Sequence, residues 1–212
     1  MTWILLALGL GLGVFAGATL LLSPRPLAPP RTLRELHRLA AGGVLDGQRC
    51  QVSGTVRGTG DQLTAPLSGK PCLGYTVEVD AGDASEPVAI SAGVTCALEA
   101  DEVTAQLAAG DGRVHTSRPV AEGSLAQLRS DAPTWWATFG DRLEACEETA
   151  RVREWLFAGG DDVIVACFAI AESDPDAPPA SDNRAPVKRV FLRSAPDIPL
   201  HIADTQQGLR DG

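Results

Sequence analysis

VIVACFAI, residues 163–170, is an uninterrupted apolar octet that follows the turn Ala158-Gly159-Gly160-Asp161-Asp162. Its length and β-branched content predict a central strand buried on both faces. Upstream, residues 151–156 (RVREWL) alternate in the two-residue period of a half-buried strand. Downstream, residues 173–186 (SDPDAPPASDNRAP) read as a polar, proline-rich loop. Two closing strands are expected at 187–193 and 200–203, with Asp204 capping a last stub of helix.

The alternating pattern extends towards the N-terminus. Cys50, Val52, Gly54 and Val56 form one apolar row, and Tyr75, Val77 and Val79 form another against Thr76, Glu78 and Asp80. Val88/Ile90, Val94/Cys96/Leu98 and Val103/Ala105/Leu107 continue it. Helices interrupt at two places. Thr32 is placed to cap a short helix with Leu33, Leu36, Leu39 and Ala40 on one face, ended by Gly42-Gly43. Ser124 and Gln127 have capping-box spacing ahead of Leu125 and Leu128, and the segment after them carries Pro133, Trp135 and Trp136. The Trp pair reads as packing, with a surface binding patch as the rival. The expected fold is α+β and mostly β: a compact barrel-like or sandwich domain with one or two inserted helices. A doubly wound α/β fold lacks the long amphipathic helices that must separate its parallel strands.

The chain of 212 residues has 18 Lys+Arg against 27 Asp+Glu, a net charge of −9. That balance, with lysine only at Lys70 and Lys188, excludes an electrostatic nucleic-acid binder. Aromatics are only 5% of residues, so the core must be built from Val, Leu, Ile and Ala. Residues 2–22 (TWILLALGLGLGVFAGATLLL) contain no charge and as a helix would extend about 31 Å, enough to cross a bilayer. A transmembrane anchor is expected over 1–23, with a cleaved signal peptide as the rival reading. Residues 24–31, with four prolines in 23–31, read as a stiff spacer, and 32–212 as the domain. Arg25, Arg31, Arg34 and Arg38 follow the apolar run and no basic residue precedes it, which predicts the N-terminus outside and the domain in the cytoplasm. Five cysteines (Cys50, Cys72, Cys96, Cys146, Cys167) with no close spacing agree with a reducing compartment.

The most distinctive segment is APLSGKPCLGYTVEV, residues 65–79. Pro66 and Pro71 bracket a tight turn at Ser68-Gly69, Gly69 permits a positive φ, and Lys70 is the charged residue of the turn. The chain then enters a strand through Cys72 and Tyr75. A rigid exposed loop of this kind suits docking, and Pro66, Ser68, Gly69, Lys70, Pro71, Cys72 and Tyr75 are the candidate binding residues.

This segment resembles the signature of the GIDE domain, also called the BAM ("beside a membrane") domain, found in Mulan-type mitochondrial ubiquitin ligases and in many bacterial membrane proteins. The strand VSGTV (52–56), the element Glu154-Trp155-Leu156 followed by GDDVIV (160–165), and PLHIAD (199–204) are similar to further parts of the family pattern. The resemblance covers residues 33 to 210 and implies a membrane-anchored interaction or substrate-facing module. In the ligases, ubiquitin transfer belongs to a separate C-terminal RING that binds two zincs. Here no C-x-x-C pair exists and no cysteine follows Cys167, so those ligands are missing. A ligase-like component needing a partner RING is the alternative, and a Cys-dependent enzyme built on Cys72 a weaker one. A buried structural cysteine is the simpler reading of Cys72, since no histidine is near it in sequence. No cofactor or metal is expected. Asp161-Asp162 read as a hairpin turn and Glu144/Glu147/Glu148 as a solvated helix face rather than cation sites. Gly58-Thr59-Gly60 is a loop without the Lys or helix a phosphate cradle needs. The expected partners are the membrane and a protein whose identity the sequence does not give.

Overall fold

A computed structural model describes residues 29–80, 82, 86–110, 112–173 and 188–211. The expected membrane span, most of the spacer and most of the proline-rich loop lie outside the described residues. No helix among the described residues is long and apolar enough to cross a membrane.

In chain order the elements are α1 (Leu33–Ala41), β1 (Gln48–Arg57), β2 (Leu63–Thr64), β3 (Pro71–Cys72), β4 (Gly74–Val79), β5 (Val88–Gly93) and β6 (Thr95–Ala100). Then come β7 (Val103–Ala108), β8 (Arg113–His115), β9 (Ala121–Ser124), α2 (Leu125–Asp131), α3 (Pro133–Phe139) and a 3-10 turn (Gly140–Leu143). β10 (Arg151–Phe157), β11 (Asp162–Ser173), β12 (Lys188–Arg193), β13 (His201–Ala203) and α4 (Gln206–Asp211) complete the chain.

Five strands close a barrel in the order β1-β6-β7-β12-β11 and back to β1. Every pairing in the ring is antiparallel except β7 with β12. Counted along the chain, the ring runs first, second, third, fifth, fourth, the connectivity of the OB-type Greek-key barrel. That topology fixes an architecture and no activity. The interior is aliphatic and sulfur-lined, with Val52, Val56, Cys96, Leu98, Leu107, Val165, Cys167 and Leu192 at 0–1% exposure. Thr32 accepts the Glu35 N–H at 3.1 Å and starts α1, whose Leu33, Leu36 and Ala40 pack into this same core.

The two long excursions between barrel strands build a second layer. Residues between β1 and β6 supply β4 and β5, and residues between β7 and β11 supply β9 and β10, giving an antiparallel sheet β5-β4-β10-β9. Trp155 and Phe157 on one face of β10 join the barrel core. Val152 on the other face joins Tyr75, Val77, Val79 and Ile90, covered by Leu125 and Leu128 of α2, Trp135 of α3 and Leu143. Ser124 accepts the Gln127 N–H at 3.2 Å to start α2, as its spacing predicts.

Mostly β with a barrel and few helices is thus what the chain forms, but several details differ from expectation. The octet lies in β11, which is central yet one-sided: Val163, Val165, Cys167 and Ala169 are buried while the residues between them are half-exposed on the outer wall. Burial on both faces falls instead on β4 and β10, whose sequences GYTVEV and RVREWLF carry polar residues. The turn at 158–162 is no hairpin; it passes the chain from the side sheet (β10) into the barrel (β11), with Gly160 N–H donating to Val56 O at 2.8 Å. The end of the presumed spacer belongs to the domain: Gln51 N–H donates to Pro29 O (3.0 Å) and Arg31 N–H to Gln51 O (2.8 Å), so residues 29–31 extend the sheet beside β1. Asp204 does not cap α4. It accepts Ser117 N–H and Oγ–H at 2.7–2.9 Å, and Thr205 takes the capping role through Gly208 N–H at 3.1 Å. Glu144 and Glu148 lie in turns and Glu147 in irregular chain after the 3-10 segment; all three are exposed, but not on a helix face.

Candidate functional site

The short pair β2–β3, with Leu63 opposite Cys72 and Thr64 opposite Pro71, holds the base of the motif loop. Within it Ala65 N–H donates to Lys70 O (2.9 Å) and Gly69 N–H to Ala65 O (3.0 Å). Gly69 has φ +66° with open space where a Cβ would sit, so backbone conformation, not crowding, is what requires glycine there.

Beneath the loop lies Glu154, a carboxylate with 0% exposure on the second-layer face of β10. Its Oε2 accepts Leu67 N–H at 2.7 Å and its Oε1 accepts Ser68 N–H at 3.1 Å. A buried carboxylate is costly unless its oxygens are hydrogen-bonded, and charge-assisted bonds are the strong class. One side chain therefore binds two successive amides of the loop. Approach is close on the neighbouring strand too: a Cβ at Gly123 of β9 would stand 2.7 Å from Gln127 Oε1 and 3.3 Å from Leu67 Cδ1.

The seven candidate residues divide into two groups. Pro66, Cys72 and Tyr75 are buried and anchor the loop from inside. Gly69 and Lys70 in the loop and Pro71 at its base are exposed, with Ser68 half-buried. Tyr75 OH accepts Trp135 Nε1–H at 3.0 Å, and burial raises the phenol's pKa. That contact places Trp135 in the core, while Trp136 is half-buried with the Arg129 guanidinium 5.3 Å over its ring. Burial, followed by the nearby Glu154 charge, pushes the Cys72 thiol up to about 11. It is protonated at neutral pH, the opposite of an activated nucleophile. His37 is engaged by Thr104 O at 2.8 Å, and His115 packs on Trp155 with ring centres 5.4 Å apart.

Two hollows lie elsewhere. A cleft of about 440 Å³ between α2 and the 3-10 turn is lined by Arg129, Trp136, Cys146 and Glu148 among others, and a dish of about 310 Å³ by Ser53, Gly54, Asp162, Ile164 and Asp204. Among the described residues no three of His, Cys, Asp and Glu stand together as metal ligands. Asp161 and Asp162 are used locally: Asp161 accepts Ala158 N–H (2.7 Å) and Asp162 accepts the Thr55 hydroxyl (2.6 Å).

The sequence pointed to the loop but not to what fixes it. Glu154 stands out in the Glu154-Trp155-Leu156 element and as a charge in the row Val152, Glu154, Leu156, but neither signal marks it as the partner of the loop amides. No family model, curated protein or solved structure matches the chain. The family resemblance therefore rests on the motif residues alone.

Proposed function

We propose that this chain is a membrane-anchored, GIDE-like interaction module, without a catalytic centre of its own, that presents the exposed loop residues Gly69-Lys70-Pro71 to a protein partner. The observation that carries this reading is the Glu154 clamp on Leu67 and Ser68. A loop already ordered before binding loses less entropy when it docks, and its exposed tip is the part free to make contact. The raised thiol pKa of buried Cys72 counts against the Cys-dependent enzyme.

Anchorage through residues 1–23 belongs to the same proposal, with the N-terminus outside and the domain in the cytoplasm. Only residues 24–28 separate that segment from Pro29, which is already bonded to β1. Five residues span at most about 18 Å, so an anchored domain is held beside the bilayer.

The test compares full-length variants in affinity isolation from native membranes. Lys70→Glu should abolish partner capture with the thermal midpoint unchanged, whereas Cys72→Ser should leave capture largely intact. Capture that survives both Lys70→Glu and truncation of the Ser68 and Lys70 side chains to alanine would assign the contact to another surface. Loss of function with Cys72→Ser alone would favour the enzyme.

A further inference from the structure

The barrel closes where β1 meets β11, and at that seam Cys50 stands directly opposite Cys167 in register. Their sulfurs are 3.9 Å apart, both residues are at most 1% exposed, and both are free thiols. We propose that Cys50 and Cys167 are a disulfide-forming site that locks the barrel seam under oxidising conditions. Directly opposed residues of an antiparallel pair have Cα atoms roughly 4.5–5.5 Å apart, inside the roughly 4.4–6.8 Å that a disulfide accepts. Opposed Cβ atoms stand roughly 4.5–5.5 Å apart against the roughly 3.5–4.5 Å of a disulfide, so side-chain rotation with a small local approach of the two strands brings the sulfurs together.

The two thiols are not equivalent. Contact with the Cys167 sulfur, aided by the Arg31 cation, lowers the Cys50 thiol's pKa against the opposing effects of burial and the Glu35 carboxylate. The same contact and burial raise that of Cys167. Arg31 N–H bonds Gln51 O next to Cys50, so in this proposal Cys50 is the attacking sulfur. Its thiolate attacks a small-molecule or protein disulfide, forming a mixed disulfide and expelling one thiolate. Cys167 then loses its proton and attacks the Cys50 sulfur, expelling the second thiolate. Two protein thiols and one external disulfide become one protein disulfide and two external thiols. The bond would span 117 residues and tie the barrel's first strand to its fourth, a long loop of the kind whose closure most restricts the unfolded chain. Five dispersed cysteines read as inert core residues; the fold turns two of them into a pair whose state depends on the compartment.

Full-length protein in detergent is incubated with oxidised or reduced glutathione, then unfolded in N-ethylmaleimide and analysed by intact mass and peptide mapping. The oxidised sample should carry one bond, between the Cys50 and Cys167 peptides, with Cys72, Cys96 and Cys146 alkylated. Its urea midpoint should rise and return on reduction with dithiothreitol, and Cys167→Ala should remove that shift. Five alkylated thiols after oxidation, a bond to any other cysteine, or a glutathione adduct that persists on Cys50 would each overturn the proposal.

Discussion

The barrel and its side layer are stabilised differently. In the barrel, every strand of the ring has a neighbour on each side, and the inward residues are almost all aliphatic or cysteine. In the side layer the sheet is open, ending at β5 and β9, and its cover is two seven-residue helices too short to stand alone. Its interior is held in part by polar contacts, Trp135 to Tyr75 and Glu154 to the loop, and its face against the barrel by Thr76, bonded to Ser91 (2.9 Å) and to Val114 N–H (2.7 Å). A closed apolar ring tolerates variation in detail, whereas a polar contact in a buried layer works only when each partner is present. The candidate binding loop is built on the second kind of support.

Substitutions at matched positions sharpen that contrast. The largest effect is expected for Glu154→Ala, which leaves two part-buried amides without their acceptor and should cost about 3 kcal/mol in urea unfolding. Leu107→Ala in the barrel should match it at about 3 kcal/mol through the cavity it leaves. The two should differ in reach rather than size: hydrogen exchange is expected to rise throughout the protein for Leu107→Ala but mainly in β9, β10, α2 and the loop for Glu154→Ala. Uniform exchange in both would show that the layers unfold as one unit. Smaller effects, about 1 kcal/mol each, are expected for Gly69→Ala, from its positive φ, and for Trp135→Phe, from the lost bond to Tyr75. Lys70→Glu should change stability by less than about 0.5 kcal/mol, since its residue is exposed.

Strand β13, which pairs antiparallel with β11 and parallel with β8, adds a pH test. Burial, then the charges of His115, Arg113 and Arg49, hold the His201 imidazole down at about 4. The unfolded chain binds this proton more readily than the folded one. His201 therefore contributes stability that is complete above its ordinary pKa of about 6.5 and is lost as pH falls from there towards 4. Replacing His201 by Gln should flatten the urea midpoint over that window, while Lys70→Glu should leave the slope unchanged.

What the sequence reveals follows the same division. The barrel was legible because alternation on β1, β6 and β7 directly reports one buried face. The octet on β11 misled because an apolar run records which residues tolerate burial, and the outer wall of a barrel accepts Ile164 and Phe168 half-exposed. β4 and β10 misled in the other direction. Thr76 and Glu154 look like surface residues until their partners, Val114 N–H and the loop amides, are brought 38 and more than 80 positions along the chain. In the candidate site, the tip and its prolines could be read locally, since turn chemistry is local. The clamp could not, because nothing near Glu154 in sequence marks it as a partner of Leu67 and Ser68. Cys50 and Cys167 became a pair for the same reason, through a register that only the closed barrel sets.

The central claim is that a buried carboxylate holds the candidate docking loop in one conformation. Amide-resolved hydrogen exchange at Leu67 and Ser68, in the wild-type chain and in Glu154→Gln, tests it most directly. Both amides should be protected in the wild type to the level of β10, and Glu154→Gln should speed their exchange at least tenfold while Val165 in the barrel is unaffected. Fast exchange at Leu67 and Ser68 in the wild type, or protection that persists in Glu154→Gln, would contradict the account.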